Sequence, residues 1–152
     1  MKTAIDGKLA RRIDRYSIEN GMPSMVLMER AALCTAECVK NITKNKNLRK
    51  NVIAVCSVGN NGADGLAAIR ILKADGYNCK ALIIGNMELA TEEFKAQLGL
   101  IHFWEIPVKH WEEDIHADIF DEYNIIVDAV FGIGLSRNVE GEYARLVECI
   151  NE

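Results

Sequence analysis

The stretch NVIAVCSVGNNGADG, residues 51–65, decides the fold. Its first half, Asn51 to Val58, is a short continuous apolar run with charge before it and glycine after it. That is the pattern of a strand covered on both faces, since a half-exposed strand would alternate apolar and polar residues. A strand buried on both faces belongs in the middle of a sheet flanked by helices. The second half, Gly59-Asn60-Asn61-Gly62-Ala63-Asp64-Gly65, reads as the turn that carries this central strand into a helix over Leu66 to Ala74.

The same alternation continues outward. A strand is expected over Cys79–Ile84, a helix over Thr91–Leu100, a weaker extended stretch over Trp104–Val108, a helix over Trp111–Phe120, an apolar strand over Asn124–Val130 and a last helix over Glu142–Ile150. Asp75 and Gly76 mark a helix-to-strand turn. Upstream, Leu9, Ile13 and Tyr16 recur at helical spacing between Lys8 and Glu19, and Gly21 ends that pattern. Pro23 and Ser24 then open MVLMERAALCTAECVKNITK, a half-buried second helix. Alternating strands and helices imply a parallel sheet. The chain contains no repeat, low-complexity tract or visible linker, so the expectation is one domain over residues 1–152: a three-layer αβα, Rossmann-like parallel sheet with two N-terminal helices.

The totals narrow the function classes. A chain of 152 residues can bury a core without disulfide or metal support. No apolar run approaches a membrane span, and the first residues lack the apolar stretch of a signal peptide. The five cysteines, Cys34, Cys38, Cys56, Cys79 and Cys149, are scattered and odd in number, which fits reduced thiols in the cytoplasm. Cys34 and Cys38 are read as packing residues. With a net charge of -4 and no basic stripe, nucleic acid is a poor partner. His102, His110 and His116 share no helical face, and Trp104 and Trp111 are read as packing residues.

Two glycine-bearing stretches carry the chemistry. In the first, glycines permit close ligand approach, and the N–H groups that open a helix favour a phosphate. It is neither a Gly-x-Gly-x-x-Gly fingerprint nor a P-loop, because the glycine spacing differs and no Gly-Lys-Ser/Thr follows. Asp64 is expected at the helix start, either as a capping carboxylate or as a partner for a ligand hydroxyl or amide. The second stretch, Asp128-Ala129-Val130-Phe131-Gly132-Ile133-Gly134-Leu135-Ser136-Arg137-Asn138, also follows an apolar strand. Two such loops at one sheet edge form a crevice. Arg137 is either a phosphate partner through its planar fork or a solvated loop residue. Asp128, an acid at the end of an apolar strand, is costly to bury unless it meets a backbone donor, a cation or a ligand, and the alternative is a lone structural aspartate. If Asn61 and Asp128 face one another, their oxygens suit a hard cation.

With both stretches in view, the chain resembles the YjeF N-terminal domain family, whose best-known members are NAD(P)HX epimerases. The matching residues are Ile13-Asp14, Gly21-Met22-Pro23-Ser24 through Leu27-Met28-Glu29, Gly59 to Gly65, and Asp128 to Arg137. The resemblance implies that Asn60, Asn61, Gly62, Ala63 and Asp64, with Gly132, Ile133, Gly134, Leu135, Ser136, Arg137 and Asn138, contact hydrated NADH or NADPH. It also implies that Asn61 and Asp128 bind a potassium ion, K+. The implied reaction interconverts the R and S epimers, so that an S-specific, ADP- or ATP-dependent NAD(P)HX dehydratase, in some proteins fused to this domain, can repair both. A homodimer is implied as well.

Two features depart from the family pattern. Ala63 stands where a glycine is usual, and the family continues beyond Ile150 into strands with an Asp-x-Pro-Ser-Gly turn, so the domain is expected to be incomplete at its C-terminus. The resemblance assigns no catalytic acid or base within residues 1–152. The rival reading is a non-catalytic nucleotide- or RNA-binding interaction module of the same fold.

Overall fold

The computed structural model describes residues 5–112, 115–133, 135 and 138–152. Helix α1 spans Gly7–Glu19 and is capped by Asp6, whose Oδ1 accepts from the Leu9 N–H at 2.7 Å. Gly21, at φ +96°, turns the chain into α2, Ser24–Asn45, which Pro23 precedes with the extended backbone a helix entry needs. Helix α2 buries a single stripe, Met28, Ala32, Ala36, Val39 and Thr43, at helical spacing.

Strand β1 spans Asn51–Ser57 and is fully buried from Val52 to Cys56. It is followed by α3, Asn60–Ala74, then a turn at Gly76 with φ +80°, and β2, Asn78–Ile84. Helix α4, Glu92–Phe103, begins at Thr91, whose Oγ1 accepts from the Phe94 N–H at 3.2 Å. The described chain is completed by β3, Val108–His110, a 3-10 turn at Ala117–Phe120, β4, Ile125–Ala129, and α5, Glu142–Asn151.

All four strands are parallel, in the order β3-β2-β1-β4. On one face of the sheet, α2, α3 and α4 bury a core that includes Met28, Leu66, Ile69 and Phe94. On the other, α5 and the 3-10 turn bury Ile53, Val55, Phe120 and Leu146. The chain leaves β1 toward β2 on one side, while β4 pairs on the other with its following helix on the opposite face. This reversal opens a crevice above the carboxyl ends of β1 and β4.

Three sequence expectations are corrected. Helix α3 starts at Asn60 rather than Leu66, so the glycine-asparagine stretch forms its first turns. No α-helix is present among the described residues of 111–120. There the Trp111 N–H extends the sheet ladder by bonding Ile83 O at 2.8 Å, and only the 3-10 turn follows. The stretch from Trp104 is not extended until Val108, because α4 runs to Phe103 and Glu105 adopts φ +51°. Cys34 and Cys38 are a further correction, being exposed on the outer face of α2 rather than packed.

Candidate functional site

The site is built where β1 runs into α3. Gly59, the residue before the helix, is extended and offers no side-chain cap to the first N–H groups of α3. Those groups therefore lack partners within the helix and face the crevice end, an arrangement suited to an anion. Gly62 seats this turn against the strand: a Cβ on it would fall 1.6 Å from Ser57 O. Gly65 does the same one turn later, where a Cβ would stand 2.5 Å from Ala129 Cβ and 2.9 Å from Cys56 Sγ. Only glycine allows α3 to lie this close to both strands.

The second loop leaves β4 through the buried Val130 and reaches Gly132, which rests on α3: a Cβ there would be 3.4 Å from both Asn61 Cβ and Asn61 Oδ1. Between the loops lies a cavity of about 980 Å³, to which Asn60, Asn61, Asp64, Gly132, Ile133 and Leu135 contribute. An adjoining lobe of about 460 Å³ shares Ser57, Gly59 and Phe131 with it and adds Asn138, Glu140 and Tyr143. The Tyr143 ring lies 5.4 Å from that of Phe131.

Most sequence-identified residues thus converge. Gly62 and Ala63 are buried just behind the lining, in the helix itself. Gly134, Ser136 and Arg137 fall outside the described residues.

Asp64 corrects the capping alternative. It is the fifth residue of α3, beyond reach of a cap, and has no hydrogen-bond or ion-pair partner among the described residues. Burial, with a smaller contribution from the charge of Asp14, pushes its carboxyl up to about 6. Asp14, from α1, lines the same cavity and was not singled out as a site residue from sequence, and neither was Tyr143. The signal for Asp14 was present in the Ile13-Asp14 match. Tyr143 stood in the last predicted helix without a motif.

Asp128 is exposed rather than buried, and its Oδ1 accepts from the Val130 N–H at 3.0 Å, fixing the exit of the chain from β4. Its carboxylate adds to the dominant effect of burial in pushing the Cys56 thiol up. Asp128 lines neither cavity lobe, whereas Asn61 lines the larger. Among the described residues no group of three or more His, Cys, Asp or Glu is placed to hold a metal. The three histidines are exposed. Trp111 is 9% exposed and its Nε1–H donates to Glu142 Oε2 at 3.0 Å, in keeping with a packing role.

The model of the family described as YjeF-related protein N-terminus matches residues 24–152. NAD(P)H-hydrate epimerase from Lentilactobacillus buchneri is 38% identical over 153 aligned positions, covering 99% of this chain and 67% of the relative. NAD(P)H-hydrate epimerase from Oenococcus oeni is 39% identical, covering 97% of this chain and 67% of the relative. The crystal structure of the yeast protein ynu0 superposes with a TM-score of 0.84 at 28% identity, covering 98% of this chain and 65% of that one. The chain therefore spans about two thirds of the length of these proteins.

Proposed function

The chain belongs to the YjeF-related protein N-terminal family, and from that premise we propose that it is an isomerase that interconverts the R and S epimers of hydrated NADH and NADPH. The observation that carries this reading is the open N-terminus of α3, held by Gly62 and Gly65 at the β1–β4 switch point and facing a cavity large enough for a nucleotide. The backbone N–H groups of Asn60 and Asn61 donate to a phosphate oxygen. Gly132, Ile133, Leu135 and Asn138 of the second loop line the other side of the ligand, and Asp64 bonds a ligand hydroxyl or amide.

Potassium is part of the proposal. Asn61, whose side chain abuts Gly132, and Asp128, which keeps an oxygen beyond the one bonded to Val130, supply the hard oxygen donors such an ion takes. An ion held by these two residues would supply positive charge to the site. The epimerisation returns R-hydrate to the S form, which an ADP- or ATP-dependent dehydratase consumes. The cytoplasm suits five cysteines that are all free. No helix among the described residues is long and apolar enough to cross a membrane. No observation favours the interaction-module reading.

The test is chromatographic: R- and S-NADPHX are incubated with the purified 152-residue chain, with and without potassium. Acceleration over the spontaneous rate is expected, and a rate equal to the spontaneous one refutes epimerase activity for this chain. Asn61→Ala and Asp128→Ala are each expected to weaken potassium-dependent NADPHX binding by about tenfold or more. Unchanged binding in both variants removes the cation assignment.

A further inference from the structure

Helix α1 buries none of its residues, yet it is held over both halves of the site. At its start Gly7 packs on Ile133 of the second loop, where a Cβ would stand 3.3 Å from Ile133 Cβ. Two turns on, the exposed Asp14 enters the lining of the main cavity beside Asn60, Asn61 and Asp64. It also lines, with Asp64 and Asn60, an adjoining groove of about 220 Å³ that runs between α1 and α2.

Asp14 and Asp64 are the only ionisable side chains among the described residues lining either space. Neither has a hydrogen-bond or ion-pair partner among those residues. Packing does not explain Asp14, which sits on a helix with no buried side chain. Two open carboxylates repel a phosphate, so the phosphate belongs at the α3 N-terminus and donors belong here. The nucleotide group that carries adjacent donors and no charge is the ribose diol, which carboxylates recognise in other dinucleotide folds.

We propose that Asp14 is a further ligand-binding residue of this site and that, together with Asp64, it accepts hydrogen bonds from the vicinal hydroxyls of a ribose. The assignment rests on the reading of the crevice as a dinucleotide site and adds to it a wall contributed by α1.

The experiment is a thermodynamic cycle between protein and ligand, read by calorimetric titration of the full chain. The ligands are NADHX and its 2′-deoxy and 3′-deoxy analogues at either ribose, and the proteins are the unsubstituted chain, Asp14→Ala and Asp14→Asn. For the unsubstituted chain, one analogue is expected to bind about tenfold or more weaker than NADHX. Asp14→Ala is expected to lose a similar factor for NADHX and nothing further for that analogue, with Asp14→Asn in between because its amide oxygen still accepts. The analogue that responds identifies whether the adenosine or the hydrated-nicotinamide ribose lies against α1. NADHX binding by Asp14→Ala equal to that of the unsubstituted chain overturns the inference while leaving the site reading intact. So does full multiplication of the two losses for every analogue, which would mean that Asp14 and the hydroxyls act independently. Failure of the unsubstituted chain to bind NADHX overturns the site reading itself, and this inference with it.

Discussion

Asp64 shows how one residue joins the site to stability. Its carboxyl is held at about 6 against an ordinary 3.8, first by burial and then by the charge of Asp14. Between these values the folded chain binds a proton that the unfolded chain has released, so stability falls as the pH rises through that window. Above it, the fold carries the full cost of an ionised, half-buried carboxylate. Asp64→Asn removes the charge and keeps the shape. Its melting temperature is expected to exceed that of the unsubstituted chain by about 2 °C or more at pH 8, with the gap closing as the pH falls toward 4. The same substitution replaces a full negative charge facing the ligand, so tighter folding is expected to accompany weaker NADHX binding. An unchanged melting temperature at pH 8 would mean that solvent already relieves the cost.

The element that positions the site is α3, and its placement depends on two glycines. Gly62→Ala puts a methyl group onto Ser57 O, which is backbone and has nowhere to move. The first turn of α3 must shift, and a loss of about 3 kcal/mol is expected in denaturant unfolding. Gly59→Ala is the control. Nothing lies within 4 Å of the position its methyl group would take, and its φ of -96° suits any residue, so a loss within about 1 kcal/mol is expected. Comparable losses in the two variants would contradict the close seating of α3.

These same residues explain what was legible in the sequence. Asn51 to Val58 announced a central strand because β1 is covered on both faces, and uninterrupted apolar residues are the direct mark of that. The start of α3 was hidden because Asn60, Asn61, Gly62, Asp64 and Gly65 are poor helix formers, and the helix there is imposed by packing against β1 and β4. Trp111, Ile115 and Phe120 look helical in sequence, but each buries itself against the sheet from a backbone that is not α-helical. Asp14 is not legible as a site residue because the residues that line the cavity with it lie on α3 and in the second loop, far along the chain, and no local pattern reports that meeting.

At the scale of the whole molecule, the conspicuous feature is an apolar stripe left exposed among the described residues. Leu9, Ile13 and Tyr16 of α1 are 41%, 48% and 69% exposed, although their helical spacing is that of a core-facing stripe. With the arginines of the same helix, Arg12 and Arg15, they border a shallow groove. A homodimer, proposed from the family resemblance, gives this stripe a partner: a two-fold axis beside α1 would set the stripe of one copy against that of the other, as a self-complementary contact requires. The proposal makes α1 a helix held between the ligand on one side and a second copy on the other, which accounts for a helix that buries nothing in its own chain. Light scattering on the eluting chain is expected to give twice the monomer mass. Ile13→Asp and Tyr16→Asp place unpaired charges in that contact and are expected to weaken association by about tenfold or more, without altering the helical content seen by circular dichroism. A dimer indifferent to both substitutions would place the contact elsewhere, and a monomeric unsubstituted chain would leave α1 to the ligand alone.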